Sequence, residues 1–451
     1  MEKLFGTDGI RGTANIYPLT PELILNIGKA VAVYARSISN LQKPKIVIGK
    51  DTRLSGYMFE TALTSGIVSQ GCDVLLVGPM PTPAIAHLTK SLNCSAGIVL
   101  SASHNPAKDN GIKIFDSHGC KISEIEEQKI ESLALNPVFD SKLFVGKKLG
   151  KAFRIDDAKG RYIEFVKSSI QNASLSGLKI VVDCANGAAY NIAGSVFSEL
   201  GAEVKVINKK PNGMNINKNC GALFPQELQV KVKETKADLG IALDGDADRI
   251  VVCDDYGKIL DGDDLAFIFS NYLNKIQTLA QNTAVVTEMS NFGLDLSLKK
   301  HGIKVVRVPV GDKFVMRAMQ ENKYSFGCEQ SGHIIFSDYS TTGDGIISGL
   351  QLAHILVSEK KKVSELLNDF ERIPQVLLNV KVAQRIPLTQ LKKTSQLIQE
   401  FSEALKNQGR VLVRYSGTEY LARILVEGKN KKQIQEFANQ IAKTLKSEVS
   451  V

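Results

Sequence analysis

Three segments of the chain share one pattern of apolar and polar positions. Each begins with a short apolar run rich in β-branched residues, continues through a polar loop and an amphipathic stretch, and ends with a second apolar run. The three opening runs are KIVIG (45–49), LKIVVD (178–183) and TAVVT (283–287). Strands that alternate with helices at this spacing indicate βαβ units, whose loops gather ligands beyond the strand ends. The repeat predicts three related α/β domains whose first loops face a shared cleft.

The pattern changes near residue 370. RIPQVLLNVKV is typical of a strand, QLIQEFSEALKNQG of a helix ended by Gly409, and RVLVRYSGTEYLARILVEG of a hairpin that precedes a final helix. This order of elements predicts a smaller C-terminal α+β domain. We place the four domains at 1–150, 151–256, 257–370 and 371–451.

One further helix is predicted before the first repeat. Thr20 is a favourable N-cap, Pro21 suits the first helical position, and Glu22 places a negative charge in the first turn. These residue types are enriched at helix N-termini. A Thr side chain accepts a hydrogen bond from one of the unpaired backbone N–H groups, and Pro has no N–H that would be left unpaired.

The charge of the chain narrows the choice of partner. The formal net charge is +9, from 56 Lys and Arg against 47 Asp and Glu, and the basic runs are short. A mild excess of this kind is typical of solvated surfaces, and a substrate that carries phosphate explains it as well as a nucleic acid would. We therefore expect no nucleic-acid partner.

Hydropathy and cysteine usage indicate the compartment. No apolar run reaches the roughly 20 residues that span a bilayer, and the opening MEKLFGTDGIRG lacks the apolar core of a signal peptide. Seven Cys occur singly, without a CxxC pair, and so indicate neither a disulfide framework nor a zinc site. We expect a reduced, cytoplasmic protein without a membrane partner.

A serine-rich loop follows an apolar strand in the first repeat. The run AGIVL (96–100) leads into SASHNP (101–106), and the turn residues DNG follow closely. This composition predicts a tight loop at a strand end that carries Ser103. The alternative is that Ser101, Ser103 and His104 only bond to the loop backbone. The loop is not the GxSxG elbow of hydrolases.

A cluster of acidic residues follows an apolar strand in the second repeat. The strand DLGIAL (238–243) leads into DGDADR, in which Asp244, Asp246 and Asp248 recur at every second residue. Carboxylates crowded in this way repel one another, so a cation is expected among them, and hard oxygen ligands suit magnesium. The sixth position lacks the Gly that an EF-hand needs. The alternative is a group of solvated surface acids.

Polar groups alternate in the segment SFGCEQSGH. Glu329, Ser331 and His333 lie on a predicted loop between apolar runs, where Gly327 and Gly332 permit unusual backbone angles. Such a loop can bind sugar hydroxyls, although an ordinary polar turn is an equal alternative.

The C-terminal hairpin contains the turn RYSGTE. It brings together Arg414, Ser416, Gly417 and Thr418, and Arg423 follows closely. Arg gives forked, charge-assisted contacts to phosphate, while hydroxyl and backbone N–H groups reach the remaining oxygens. We favour phosphate binding over a plain β-turn, which would not need two Arg.

In this order, the motifs TDGIRG, SASHNP, DGDADR, CEQSGH and RYSGTE resemble the α-D-phosphohexomutase superfamily over essentially the whole chain. The resemblance implies three α/β domains with mixed sheets plus a smaller α+β domain, in a heart shape with a central cleft. It implies phosphoryl transfer through a phosphoserine and a bisphosphorylated sugar. The segments LFGTDGIRG and HIIFSDYSTTGDGIISGLQL are similar to bacterial members that interconvert glucosamine 6-phosphate and glucosamine 1-phosphate. Glucosamine 1,6-bisphosphate would then be the activating intermediate and a homodimer the assembly.

The resemblance also implies roles for single residues. Ser103 matches the phosphorylated serine, and one Mg²⁺ per subunit would bind Asp244, Asp246 and Asp248 together with that serine. The substrate-binding residues would be Arg249, Glu329 and Ser331, and the phosphate-binding residues Arg414, Ser416, Gly417, Thr418 and Arg423. The residues for proton transfer or charge stabilisation would be Arg11, His104, Lys113 and His333.

The chain departs from the family pattern at several positions. Tyr420 stands where Pro usually follows the phosphate loop, Leu223 and Phe224 where Thr and His are common, Lys313 where Arg is usual, and Glu288 where a small apolar residue is common. These departures bear on substrate preference. A phosphoglucomutase or phosphomannomutase, a metal-dependent phosphatase and a non-catalytic sugar-phosphate sensor are the alternative functions.

Overall fold

The computed structural model describes residues 3–6, 8–139, 144–415 and 420–449. The chain divides into two compact units, Met1–Glu288 with Val305–Asn368 and Met289–Lys304 with Asp369–Val451. Four sheets have the strand orders β1-β2-β6-β5-β3-β4-β7, β12-β11-β10-β8-β9, β14-β13-β15-β16 and β17-β19-β18. We call the first three sheets and their helices the first, second and third repeats.

The first repeat contains a sheet of seven strands. Its strands are β1 Phe5–Gly6, β2 Gly9–Thr13, β3 Lys45–Lys50, β4 Asp73–Pro79, β5 Ala96–Leu100, β6 Asp109–Asp116 and β7 Ala152–Arg154. Its helices are α1 Pro21–Ile38, α2 Gly56–Ser69, α3 Thr82–Ser91 and α4 Glu124–Leu135. The predicted cap is confirmed, since the Thr20 side chain accepts a hydrogen bond from the Leu23 N–H and Pro21 begins α1.

The second and third repeats are built from similar elements. The second has strands β8 Lys179–Asp183, β9 Glu203–Ile207, β10 Leu239–Leu243, β11 Ile250–Cys253 and β12 Ile259–Leu260, with helices α5 Ala158–Ser168, α6 Ala193–Glu199 and α7 Gln226–Thr235. The third has helices α8 Gly262–Lys275, α9 Phe292–Lys300, α10 Asp312–Asn322 and α11 Gly345–Glu359, with strands β13 Thr283–Thr287, β14 Lys304–Val308, β15 Phe326–Cys328 and β16 Ile334–Phe336.

One strand order recurs in all three repeats. It reads β6-β5-β3-β4 in the first, β11-β10-β8-β9 in the second and β16-β15-β13-β14 in the third. The strand named first in each order (β6, β11 or β16) is antiparallel to its neighbour. The neighbours β5, β10 and β15 run parallel to β3, β8 and β13. Three related α/β domains with mixed sheets are therefore confirmed. The motifs SASHNP, DGDADR and EQSGH follow β5, β10 and β15, which are equivalent strands.

The C-terminal segment forms an antiparallel sheet covered by two helices. Its elements are β17 Gln375–Lys381, α12 Lys392–Ala404, β18 Gly409–Tyr415, β19 Leu421–Gly428 and α13 Lys431–Val449. The predicted hairpin is confirmed, but the prediction that Gly409 ends the helix is wrong. The helix ends at Ala404, Asn407 takes a left-handed φ of 66°, and Gly409 begins β18. A Cβ atom at Gly409 would lie 2.0 Å from the Glu427 carbonyl oxygen, so its small size serves strand packing.

Within the described residues, every helix is too short or too polar to be a candidate for crossing a membrane.

The C-terminal core gives a stability prediction. Ile424 on β19 is fully buried, whereas Leu377 on β17 is 44% exposed. Ile424→Ala should destabilise this segment by about 2–5 kcal/mol because it removes buried apolar atoms and leaves a cavity, and Leu377→Ala should cost less than about 1 kcal/mol. Hydrogen exchange of the β19 amides measures both. Equal protection of β19 in the two variants would contradict the core packing described.

Candidate active site and metal centre

Ser103 lies on a strained turn just beyond β5. Its side chain is buried at 1% exposure and its φ is 50°, which a non-Gly residue adopts rarely. The Ser103 N–H donates to Ser101 Oγ at 2.9 Å, and Ser101 Oγ donates to Asp51 Oδ2 at 2.7 Å. The serine hydroxyl is thereby held in one position and is sheltered from water.

One arginine fixes the backbone of this loop. The Arg53 guanidinium donates to the carbonyl oxygens of Ser103 at 3.0 Å, Asn105 at 2.8 Å and Asp109 at 2.9 Å. Its Nε also pairs with Asp51 Oδ2 at 2.7 Å. Sequence reasoning missed both members of this ion pair, although their loop, KDTRLSG, was expected to face the cleft. A buried Arg with several carbonyl partners orders a turn that has few hydrogen bonds of its own.

The second repeat approaches the serine loop closely. Asn217 Nδ2 donates to the Ser103 carbonyl oxygen at 2.8 Å. A Cβ atom at Gly245 would lie 2.5 Å from that same oxygen, so a larger residue would push the two loops apart. Ala247 takes a left-handed φ of 57°, which turns the chain between two of the acidic residues. Thr52 Oγ1 also donates to the Asn186 carbonyl oxygen at 2.6 Å, which joins the first loops of the two repeats.

The structure brings Ser103 and the acidic cluster together. Ser103 Oγ donates to Asp244 Oδ2 at 2.6 Å. Asp244, Asp246 and Asp248 are buried, and one carboxylate oxygen from each lies within 4.8 Å of the other two. Since an ion needs several oxygens around one point, this spacing is compatible with a single divalent cation.

The carboxylates of Asp246 and Asp248 each have one oxygen in contact with a polar side chain and one oxygen without a hydrogen-bond partner among the described residues. Lys113 Nζ lies 3.0 Å from Asp246 Oδ2 and 3.3 Å from Asp248 Oδ2, and Thr82 Oγ1 donates to Asp246 Oδ2 at 2.6 Å. Asp246 Oδ1 and Asp248 Oδ1 are buried and have no hydrogen-bond partner within the described part of the chain. Buried carboxylate oxygens without a partner are costly, and a hard cation would satisfy them. The donor set fits a metal such as magnesium.

The electrostatics of the cluster point the same way. Burial, together with repulsion from Asp248 and Asp246, raises the pKa of Asp244 well above its usual range. Burial also acts to raise the pKa of Asp248, but Lys113 and then His333 and Arg249 outweigh it and hold that pKa well below its usual range. The cluster therefore carries negative charge that its protein partners neutralise only in part.

His104 and Arg249 lie beside the serine hydroxyl. His104 Nδ1 is 3.3 Å from Ser103 Oγ and 3.3 Å from an Arg249 guanidinium nitrogen. Burial, reinforced by the positive charges of Arg249 and Arg11, lowers the pKa of His104 to about 4. The imidazole is neutral near pH 7, and Arg249 contributes the positive charge at this side of the hydroxyl.

Asp8 joins the two expected cations of the first repeat. Lys113 Nζ lies 3.4 Å from Asp8 Oδ2, and Arg11 is hydrogen-bonded to the same carboxylate. Burial acts to raise the pKa of Asp8, but Lys113 and Lys121 hold it well below its usual range. The TDGIRG motif contained Asp8, but sequence reasoning singled out only its arginine.

The third repeat contributes the loop between β15 and β16. His333 is buried, with Nδ1 3.8 Å from Asp248 Oδ2, and its Nε2 accepts the Gly343 N–H at 2.9 Å. Glu329 is buried and its Oε1 accepts the Gly311 N–H at 3.1 Å. Ser331 is exposed. The structure therefore places His333 at the acidic cluster and leaves Ser331 open to solvent.

Gly327 and Gly332 are required for different structural reasons. Gly332 has a φ of 86°, and a Cβ atom there would lie 2.0 Å from the Ile250 carbonyl oxygen. Gly327 is in the extended strand β15, so the expectation that it supplies an unusual backbone angle is wrong. A Cβ atom at Gly327 would lie 2.4 Å from Met319 Sδ, so close helix packing is the reason for this glycine.

The segment predicted to bind phosphate, RYSGTE, is described only at Arg414 and Tyr415. Ser416, Gly417 and Thr418 lie outside the described residues. Arg414 and Arg423 face each other across the antiparallel pair of β18 and β19, within the second compact unit. Two arginine residues thus occupy directly opposite positions on neighbouring strands.

Models of one family match almost the whole chain. They describe phosphoglucomutase/phosphomannomutase, with α/β/α domains I, II and III at residues 2–139, 160–257 and 261–373 and the C-terminal domain at residues 377–444.

Full-length relatives are similar in sequence. The phosphoglucosamine mutase of Geobacter sp. (strain M21) is 51% identical over 98% of this chain and 97% of its own length. That of Bdellovibrio bacteriovorus is 48% identical over 99% of both chains.

Solved structures share the fold. A phosphoglucomutase/phosphomannomutase family protein from Burkholderia thailandensis has a TM-score of 0.81 at 24% identity, covering 99% of this chain and 97% of its own. The N-acetylphosphoglucosamine mutase of Aspergillus fumigatus, solved with GlcNAc-6P and magnesium, has a TM-score of 0.68 at 19% identity, covering 99% and 96%.

The acidic cluster yields a prediction about metal binding. Asp246→Asn removes one negative charge and one buried oxygen ligand, so the dissociation constant for Mn²⁺ should rise at least about tenfold. Titration of free Mn²⁺ by electron paramagnetic resonance measures it. Asp238→Asn is the matched control, since Asp238 precedes the other end of β10 and should leave the affinity unchanged. Equal affinity in wild type and Asp246→Asn would rule out a metal site here.

Proposed function

This chain belongs to the phosphoglucomutase/phosphomannomutase family, and we propose that it interconverts glucosamine 6-phosphate and glucosamine 1-phosphate. It is an isomerase that moves a phosphoryl group within a hexose phosphate. The observation that carries the proposal is the 2.6 Å hydrogen bond from Ser103 Oγ to Asp244 Oδ2 inside a buried cluster of three carboxylates. The identity of about half of all positions with phosphoglucosamine mutases supports the choice of sugar.

The first half-reaction breaks and forms one bond each at phosphorus. A phosphoryl group on Ser103 passes to the 1-hydroxyl of glucosamine 6-phosphate, so the P–Oγ bond breaks, a P–O1 bond forms, and the proton of the 1-hydroxyl ends on Ser103 Oγ. In the second half-reaction, the P–O6 bond of the bisphosphate breaks, a P–Oγ bond forms again, and the Ser103 hydroxyl proton ends on O6 of glucosamine 1-phosphate. Asp244 Oδ2, which accepts the hydrogen bond of that hydroxyl, is the nearest base for its proton.

The remaining side chains hold charge and exclude water. Phosphoryl transfer passes through a loose transition state, so positioning and electrostatic stabilisation contribute most of the rate. Arg249 brings positive charge beside His104 and the serine hydroxyl, and Lys113 brings it to Asp246 and Asp248. Ser103 is 1% exposed, so water has little access to its hydroxyl. A site that excludes water favours transfer to a bound sugar over the hydrolysis expected of a phosphatase.

Asp244, Asp246 and Asp248, with an oxygen of Ser103, would hold one Mg²⁺ per subunit. When bound, the ion supplies Lewis-acid stabilisation of the transferring phosphoryl group. The oxygens of Asp246 and Asp248 that have no hydrogen-bond partner among the described residues support this assignment.

Further parts of the proposal rest on the sequence. Glu329 and Ser331 would bind the sugar, and the phosphate that does not react would bind the C-terminal turn, namely Arg414, Ser416, Gly417, Thr418 and Arg423. His104, Arg11 and His333 would assist proton transfer or stabilise charge. Glucosamine 1,6-bisphosphate would load Ser103, domain boundaries would lie near 150, 256 and 370, and the enzyme would be a cytoplasmic homodimer. The seven cysteines, all described and free, are compatible with a reducing compartment.

Ser103→Ala tests the phosphoryl carrier. Without the hydroxyl no phosphoenzyme can form, so turnover of glucosamine 6-phosphate should fall by at least about 10³-fold. A coupled assay with Mg²⁺ and a trace of the bisphosphate measures the rate, and mass spectrometry locates the phosphate.

Ser101→Ala is the matched control. Ser101 Oγ supports the loop by bonding to Asp51, so this variant should keep its phosphate on Ser103 and lose only part of its rate. Full turnover by Ser103→Ala, or phosphate found on Ser101 alone, would contradict the assignment.

Substrate preference is tested with three hexose phosphates. A buried carboxylate at Glu329 gains more from an ammonium group than from a hydroxyl, so kcat/KM should favour glucosamine 6-phosphate over glucose 6-phosphate and mannose 6-phosphate by about tenfold or more. Glu329→Gln, which keeps the size and removes the charge, should reduce this ratio. A wild-type preference for glucose or mannose phosphate would make the enzyme a phosphoglucomutase or phosphomannomutase instead.

A further inference from the structure

We propose that Lys121 is a positioning residue for substrate binding: it ties the turn that orients Glu329 to the first repeat. This inference rests on the proposed function, because Glu329 is there assigned to the sugar. Lys121 follows β6 in the first repeat, whereas Glu329 follows β15 in the third, and both residues lie in the same compact unit.

The turn that reaches Glu329 has little stiffness of its own. The Gly311 N–H donates to Glu329 Oε1 at 3.1 Å, and Gly311 has a φ of 132°, which is accessible essentially to glycine alone. A glycine in this region can adopt many other conformations, so the hydrogen bond to Glu329 persists only if neighbouring groups fix the turn. The residue that follows Gly311 directly is Asp312, at the start of α10.

Asp312, the first residue of α10, fixes the turn from two sides. Its Oδ1 accepts the Lys313 N–H at 2.8 Å, which holds the carboxylate to its own helix. Its Oδ2 is paired with Lys121 Nζ, and the same oxygen lies 3.7 Å from His333 Nε2. One carboxylate therefore contacts Lys121 of the first repeat and lies beside a residue of the active site in the third.

Lys121 is itself held within the first repeat. Its Nζ also pairs with Asp8 Oδ1, and Asp8 Oδ2 lies 3.4 Å from Lys113 Nζ. The result is a row of alternating charges from Asp312 through Lys121, Asp8 and Lys113 to the acidic cluster. The Lys121 ammonium group lies between two carboxylates, those of Asp312 and Asp8, so neutralising Lys121 leaves these two carboxylates to repel each other.

Lys121, Asp312 and His333 line one cleft of about 470 Å³. The ion pair therefore forms part of a cavity wall, where a displaced turn would alter the space and the polar groups that a ligand meets.

The chain offers a matched control three residues from Lys121. Glu124 Oε1 pairs with Lys313 Nζ at 2.6 Å and likewise joins the first repeat to the third. Glu124 is half exposed at 50%, and an ion pair of this kind contributes little. Glu124→Gln therefore removes an ion pair between the same two repeats and leaves Asp312 and the Glu329 hydrogen bond in place.

Isothermal titration of glucosamine 6-phosphate into proteins that also carry Ser103→Ala measures binding without turnover. Lys121→Met should weaken binding about tenfold, the effect of one misplaced hydrogen bond, whereas Glu124→Gln should stay within about twofold. Lys121→Arg keeps the charge and should recover affinity to within about threefold. With Ser103 intact, KM should rise more than kcat falls.

Two outcomes would overturn the proposal. One is unchanged affinity in Lys121→Met. The other is an equal loss of affinity in Lys121→Met and Glu124→Gln, which would show that Lys121 only holds the two repeats together. If circular dichroism finds Lys121→Met unfolded, Asp312→Asn is measured against the same two outcomes. If the wild type turns over a different hexose phosphate, that sugar replaces glucosamine 6-phosphate in the titration. A wrong choice of substrate is thereby distinguished from a wrong role for Lys121.

Discussion

Three buried carboxylates that share one small volume with a serine hydroxyl are the constraint on which the site depends. Asp244, Asp246 and Asp248 cannot all be ionised side by side without positive charge among them, and Lys113 engages only one oxygen from each of two of them. The fold holds this unfavourable arrangement because the surrounding loops are tightly fixed. The backbone of Ser103 is also strained, because its left-handed φ of 50° is unfavourable for a residue other than glycine.

The repeated architecture explains how these groups meet. The serine loop, the acidic loop and the Glu329 loop each follow the equivalent strand of their repeat, so three copies of one sheet present three different chemistries. Direct contacts then join the serine loop to the acidic loop. Gly245 has no side chain, so the Ser103 carbonyl oxygen can pack against its Cα, and Asn217 donates a hydrogen bond to the same oxygen. Duplication of a simple βαβ unit and divergence of one loop per copy would suffice to build such a site.

Local pattern was enough to predict the opening strands of the three repeats, the helix that Thr20 caps, the C-terminal hairpin, and the loops that follow β5 and β10. It could not predict pairing, because Ser103 and Asp244 are 141 positions apart and only the resemblance to a family joined them. Arg53 escaped notice because its role depends on carbonyl groups that no sequence pattern reveals. The errors at Gly327 and Gly409 have one cause: both glycines were interpreted through backbone freedom, whereas each makes room for a neighbouring atom.

The central claim is that one divalent ion contacts both the phosphate on Ser103 and the acidic cluster. Electron–nuclear double resonance on the Mn²⁺-loaded, phosphorylated enzyme measures this directly, because strong hyperfine coupling to ³¹P arises only when phosphate is a ligand of the ion. The account predicts strong coupling that vanishes after dephosphorylation of Ser103. Bound Mn²⁺ without ³¹P coupling in the fully phosphorylated enzyme would contradict it.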